Sequence, residues 1–404
     1  MARGEPSASV EELSVEIAAD PPEAEPDPQA EVAATVVAAE SVLSKRFGAR
    51  IHLGEPEDLG GSDRSIVLRV RVASSPFALP RTLAVKRYKR AQRDSWVREA
   101  VSYQLFTALA AEERMCPELF AHDSAASLLV MEDLGRAPTL AEKLHGTDAR
   151  AAERALLSWA RSLGKLHAST AGREADFDAL LRRLDPPSRK DPLAHDGPVA
   201  VEALPALLRD QLGVRTGEDA ADAAQAALGL LDTGRHRAFS PSDSCPDNHL
   251  ITSRGVRFLD FEGGCVRNMM FDAAYLTVPF PSCWCAYALP RGMTDAMLAA
   301  WRAEVRTMWP DLDEDAVLLP RLLDAEQFWV WLTTWRFLSQ PADEHGGSAP
   351  HRGEVLLARW EQLAVSARRC AAPRVAEHAD AVAAALRARF GDRSLPLYPA
   401  FDGH

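Results

Sequence analysis

The chain has 404 residues, 47% of them hydrophobic and 26% charged, enough for two packed lobes around substantial cores. A formal net charge of −12 argues against nucleic-acid backbones as the main partner, and no apolar run approaches the ~20 residues of a membrane span. The opening MARGEPSASVEEL lacks the apolar core of a secretory signal, so a cytoplasmic location is expected.

Much of the negative charge is local. The first 31 residues carry nine carboxylates against one arginine and include the run DPPEAEPDPQ, so residues 1–30 read as a disordered, acidic, Pro-rich tail. Next, AEVAATVVAAESVLSKRFG has helical spacing and stops at Gly48, a C-cap glycine. LGGSDRS follows as a glycine-bearing turn before a strand. SIVLRVRV alternates apolar Ile66, Leu68, Val70 and Val72 with Arg69 and Arg71, the pattern of a half-buried strand. TLAVKRYK and SLLVMEDL are two further strands, separated by DSWVREAVSYQLFTALA, an amphipathic helix capped by Asp94 or Ser95. From about Gly135 the helical period dominates, broken only by the short β-type pair HLIT and VRFLDF. The expected fold class is therefore α+β and bilobal: a small β-rich lobe over 31–134 with its leading helix, and a larger helical lobe over 135–404.

Four stretches carry chemistry. In LGGSDRS, Gly60, Gly61 and Ser62 let backbone amides approach phosphate oxygens without a side-chain clash, although a Gly-Gly turn alone is more often a plain hairpin turn. In LAVKRY, Lys86 stands on a strand, and Glu99 on the next helix can fix its flexible stem beside a phosphate. LLVMEDLG brings a strand out at Glu132 and Leu134, whose backbone groups can pair with a purine edge; the plain alternative is a buried strand and lobe connector. SPSDSCPDNHLI holds Asp243, suited to accept the proton of an attacking hydroxyl, and Asn248, which joins Asp260 of FLDFEGG as a hard oxygen donor for Mg²⁺.

In that order and spacing, GGSDRSIVLRV, AVKRY, REAVSYQLF, LLVMEDLG, LGKLHAST, DSCPDNHLI, FLDFEGG and FDAAYL resemble the aminoglycoside phosphotransferase and choline kinase group, whose fold is protein-kinase-like. The resemblance covers roughly residues 51 to 276. It implies ATP and Mg²⁺ as cofactors, Lys86 on the α- and β-phosphates with Glu99 holding it, Asp243 as catalytic base, Asn248 and Asp260 as metal ligands, and Asp272 bracing the catalytic loop. Two departures stand out. The group usually has His-Gly before the catalytic aspartate, where this chain has Pro241 and Ser242, and tends to place a second histidine where Cys245 stands. The charge-handling carboxylates are all present, so the site is expected to be active.

The acceptor side is less explicit. FPSCWCAYALPRGM occupies the place where the group builds its acceptor pocket, and Phe328, Trp331, Leu332 and Trp335 form a helical stripe that reads first as core, preceded by Asp324 and Glu326. The six cysteines read as free thiols, because the C-W-C pair lacks a second pair or histidines at zinc-ligand spacing. The leading expectation is transfer of the γ-phosphoryl group of ATP to a small-molecule hydroxyl on an amino sugar, a sugar or an antibiotic-like alcohol. The alternatives are a peptide or protein acceptor recruited through the acidic tail, and a catalytically inactive pseudokinase with a regulatory role.

Overall fold

The computed structural model describes residues 27–62, 64–89, 92–184, 191, 193–232, 234–278, 280–283, 286–339 and 350–402. Most of the acidic tail therefore lies outside the described residues.

Helix α1 (Pro28–Phe47) starts at Asp27, whose carboxylate accepts from Gln29 N, and ends at Gly48 with φ 72°. A sheet of five antiparallel strands follows: β1 (His52–Ser62), β2 (Ser65–Ser74), β3 (Thr82–Tyr88), β4 (Leu119–Asp123) and β5 (Leu128–Glu132). They are ordered β1-β2-β3-β5-β4. Helix α2 (Arg93–Thr107) lies between β3 and β4 in sequence. It begins slightly ahead of the expected cap: Gln92 is the N-cap and offers no side-chain hydrogen bond.

The three expected strands are β2, β3 and β5; the sequence reading missed β1 and β4 because their composition hides them. HLGEPEDLGGS contains three glycines and a proline, and its pairing with β2 shifts register between Gly54 and Glu57 and again between Asp58 and Gly61. Proline and bulges are tolerated there because β1 is an edge strand. One face of the sheet packs Leu68, Val70, Leu83, Val85, Leu128 and Val130 against Ala39 and Leu43 of α1. The other face looks into the interlobe cleft.

The large lobe contains α3 (Leu140–Leu144), α4 (Ala149–Thr170), α5 (Glu174–Leu184), α6 (Leu193–Leu212) and α7 (Glu218–Ala227). Two β-hairpin-like pairs come next, β6 (Arg237–Ser240) with β9 (Cys265–Asn268) and β7 (His249–Thr252) with β8 (Gly255–Phe258). The chain closes with α8 (Met270–Ala273), α9 (Met293–Val305), α10 (Asp315–Ser339), α11 (Arg352–Arg369) and α12 (Pro373–Phe390). The expected bilobal α+β architecture, β-rich small lobe and helical large lobe, is the one the chain adopts.

Helices α4 and α9 touch at Gly164, where a Cβ would meet the Trp301 carbonyl and Glu304 Cβ at 2.8 Å, so the close crossing requires glycine. The aromatic stripe of α10 is core, as its spacing suggested. Phe328, Trp331 and Leu332 are buried and Trp335 is half-buried. The stripe joins two clusters, with Phe328 and Leu332 facing the main core and Trp331 facing α11 and α12.

Candidate active site

The period-two alternation of β3 decides which side chains reach the cleft. Leu83 and Val85 point to the α1 side, while Ala84 and Lys86 line a cleft of about 400 Å³ between the lobes. Lys86 Nζ lies 2.8 Å from Glu99 Oε2 on α2 and 2.6 Å from Asp260 Oδ1, which follows β8. The Tyr88 hydroxyl donates to the same Glu99 oxygen. Burial works against the Lys86 ammonium, but the two carboxylates outweigh it and hold its pKa above the ordinary range, so the charge is retained.

The roof of this cleft is the β1–β2 hairpin. Gly61 lines the cleft and Gly60 does not; Ser62, of which only the backbone is described, pairs with Ser65. Gly61 has φ 156°, and a Cβ there would meet the Ser65 carbonyl oxygen at 2.4 Å, so this position is closed to other residues. Arg64 at the turn reaches down to Glu262, 2.7 Å away and two residues past Asp260. At the back of the cleft, Glu132 and Leu134 both line the wall. The Glu132 N–H already donates to the Glu118 carbonyl (2.8 Å), and its carboxylate pairs with Arg254 (2.9 Å). Among the described residues the Leu134 main chain has no hydrogen-bond partner, which leaves it open to a ligand edge. Asp133 between them is structural: Arg69 donates to it through Nε at 2.8 Å and NH2 at 3.1 Å, tying the lobe connector to β2.

The loop after β6 carries Asp243. Its Oδ1 accepts from the Ser282 hydroxyl at 2.7 Å and from the Cys245 N–H at 3.3 Å. Burial pushes the Asp243 carboxyl upward, and those two donors partly offset the shift. The preceding residue, Ser242, has φ 70°, the left-handed region that favours glycine. That conformation accounts for the glycine usual at this place in the group the sequence resembles.

A buried relay braces this loop from behind. Ser240 Oγ accepts from Ser242 N at 3.1 Å and donates to Asp272 Oδ1 at 2.7 Å. Asp272 Oδ2 lies 3.1 Å from His167 Nε2, and the Trp301 indole donates to His167 Nδ1 at 3.0 Å. An indole N–H can only donate, so the His167 proton is on Nε2 and points at Asp272. Burial alone would raise the Asp272 carboxyl, but His167, Arg267 and Ser240 together keep it below the ordinary range. The bracing role the resemblance implied for Asp272 thus has a physical route, through Ser240.

Asn248 and Asp260 both line the cleft, with Asp247 beside them. The Asn248 main chain is fixed at both ends, its N–H donating to the Cys245 carbonyl at 3.0 Å and its carbonyl accepting from Leu259 N at 2.9 Å. Asp260 has φ 59°, a left-handed conformation tolerated by aspartate, and its carboxylate is held by Lys86. Among the described residues no three His, Cys, Asp or Glu side chains are grouped to hold a metal alone. Two protein oxygens suit Mg²⁺, which keeps waters and takes its remaining ligands from phosphates.

One sequence expectation is corrected. Cys245 and Cys283 are not free thiols but form a disulfide with Cα atoms 5.8 Å apart. The 38-residue separation hid the pairing, which the loop after α8 creates by folding back onto the loop that carries Asp243. Cys116, Cys265 and Cys370 are free, and Cys285 lies outside the described residues. The same loop is pinned from the other side by Arg359 of α11, whose guanidinium donates to the Phe280 and Cys283 carbonyls at 3.0 and 2.7 Å. Farther on, Ala286 to Gly292 and α11 line a cavity of about 470 Å³, and Asp243 is not part of its wall. The sequence reading also missed His167, Trp301, Ser240 and Ser282 as members of the site. Only LGKLHAST offered a hint, for His167.

No protein-family model matches the chain, and no curated protein matches it in sequence. It is similar to several solved structures. A choline/ethanolamine kinase family protein from Mesorhizobium loti is 14% identical, with 82% of this chain and 93% of that one covered and a TM-score of 0.44. The choline kinase LicA from Streptococcus pneumoniae is 13% identical over 82% of this chain and 99% of its own, with a TM-score of 0.43. The ADP-bound aminoglycoside phosphotransferase APH(2'')-Ib is 14% identical over 80% and 94%, with a TM-score of 0.41. No helix among the described residues is long and apolar enough to cross a membrane.

Proposed function

We propose that the protein is an ATP- and Mg²⁺-dependent phosphotransferase that moves the γ-phosphoryl group of ATP to a hydroxyl of a small molecule. The observation that carries the reading is the convergence at one cleft of Lys86, Glu99, Asp260 and Asn248, with Asp243 outside its wall but on the same loop as Asn248, five residues before it. These residues come from β3, α2, the segment after β8 and the segment after β6, far apart in the chain. A phosphoryl-transfer site asks the protein mainly for positioning and charge. The bound Mg²⁺–nucleotide would supply the phosphoryl group and neutralise its charge. Lys86, kept cationic between its carboxylates, would orient the phosphates, and Asn248 and Asp260 would hold the metal.

Asp243 holds the acceptor hydroxyl and takes its proton. Its raised carboxyl is nearer the working pH than an exposed aspartate, which suits a general base. The acceptor class is an amino sugar, a sugar or an antibiotic-like alcohol. A melting series with ATP, with and without MgCl₂, tests the nucleotide half: the midpoint rises with MgATP by mass action, and its failure to move at millimolar nucleotide removes the reading. A pooled acceptor screen with labelled ATP tests the other half, where label on one class of small alcohol is the expected outcome. Transfer to polypeptide alone would replace the small-molecule acceptor with a protein.

A further inference from the structure

The hydrogen-bond pattern around the proposed base is asymmetric. Both described donors to Asp243, the Ser282 hydroxyl at 2.7 Å and the Cys245 N–H at 3.3 Å, go to Oδ1. Among the described residues Oδ2 has no partner. An acceptor proton is therefore left one oxygen to approach, and the rotation of the carboxylate is set by what holds the other. Ser282 is not on the catalytic loop. It reaches it from the loop after α8, and the next residue, Cys283, is bonded through its sulfur to Cys245, the residue that provides the second donor. The disulfide thus joins the two segments that grip Oδ1. Arg359 fixes the far side of the same loop through the carbonyls of Phe280 and Cys283.

We infer that Ser282 is a positioning residue for Asp243, turning its Oδ2 toward the acceptor, and that the Cys245–Cys283 disulfide keeps Ser282 in register. This deepens the phosphotransferase reading and rests on it. Two observations make the role specific. Among the described residues no side chain within the loop itself hydrogen-bonds Asp243; Ser282 does so from outside. Ser282 is also a neutral donor among acids. Asp247 and Asp260 bear on Asp243 with like charge, whereas Ser282 and Cys245 stabilise the carboxylate. Removing the serine hydroxyl therefore shifts Asp243 toward its protonated form as well as loosening its rotation.

The test uses the full-length protein and MgATP, with hydrolysis by water as the reaction, so that no acceptor need be known. Loss of a hydrogen bond to a charged group predicts a fall in kcat of about tenfold to a hundredfold for Ser282→Ala, with KM for MgATP held within about twofold. The acidic limb of the kcat/KM profile moves to higher pH, because a donor to the carboxylate has gone. Ser282→Thr restores most of the rate, since it returns the hydroxyl. The double change Cys245→Ser with Cys283→Ser, or reduction of the wild type with dithiothreitol, moves kcat in the same direction by less.

Wild-type kcat and an unmoved acidic limb in Ser282→Ala overturn the inference and leave the phosphotransferase reading standing. Equal impairment in the alanine and threonine variants assigns the effect to loop packing and likewise overturns it. A wild type whose melting midpoint rises with MgATP, yet which turns over none with water or any screened acceptor, removes the phosphotransferase reading itself.

Discussion

On the proposed nucleotide side of the cleft, Lys86, Glu99 and Asp260 meet through charge, and each stands on or beside a regular element that presents it to the gap. On the proposed acceptor side, Asp243 sits on an irregular loop, and what fixes it comes from elsewhere: Ser240 and Asp272 behind, Ser282 and a disulfide in front. The difference is one of how order is achieved. A strand with period-two burial aims its residues at one face without further help, so on β3 the two carboxylates of Glu99 and Asp260 suffice to hold the lysine. A loop has no such period, and its backbone is held only by the partners that tertiary structure brings to it. A side chain on the nucleotide side can therefore be changed with local effect, whereas a change in the acceptor-side brace should reach both activity and stability.

Asp243→Asn probes the sharpest form of this contrast. It keeps the shape and cannot take a proton, so turnover should fall by about 10²–10⁴. The melting shift with MgATP should persist, because Asp243 lies on the acceptor side; a variant as active as wild type would remove it from the mechanism. Asp272→Ala attacks the brace instead. It leaves Arg267, His167 and Ser240 facing a vacated buried site, a loss of about 3–5 kcal/mol that chemical denaturation can measure.

The same residue gives a pH signature. Its folded pKa is depressed, so its contribution is present above roughly pH 4, the unfolded value, and is lost as pH falls through the folded one. A stability profile identical for wild type and Asp272→Ala below pH 4 and above it would contradict this.

Glu326 on α10 behaves in the opposite sense. Burial raises its carboxyl to about 7, and among the described residues Oε2 has no hydrogen-bond partner. In the folded state it retains its proton while the unfolded chain releases it, so stability should decline between roughly pH 4.5 and 7, by a few kcal/mol in all. Glu326→Gln should flatten that decline, and an unchanged slope would show that another group sets it.

The smallest effect is expected at Ser242. With φ 70° there, Ser242→Gly relieves a left-handed serine and should raise stability by up to about 1 kcal/mol, measurable as a higher melting midpoint. Composition alone suggests the reverse sign, from added backbone freedom, so a drop in the midpoint would show that unfolded-state entropy outweighs the strain.

How much of this was readable without coordinates follows the same division. The alternation in SIVLRVRV and TLAVKRYK, the spacing of Lys86 and Glu99, and the paired Asn248 and Asp260 were legible because local periodicity fixes which side chains share a face. The two-lobe order followed from where β-type runs give way to helical ones. By contrast, β1 carries glycines and a proline that no propensity reads as strand, and it exists because β2 offers it an edge. The left-handed Ser242, the His167–Asp272–Ser240 relay and the Ser282 contact join residues 32 to 134 positions apart. Their hydrogen bonds become favourable only after the apolar packing of α4, α8 and α9 has brought the partners together and excluded water. Cys245 and Cys283 make the point most plainly. Nothing in their spacing distinguishes them from the other four cysteines, and only the return of the loop after α8 onto the Asp243 loop sets their sulfurs side by side.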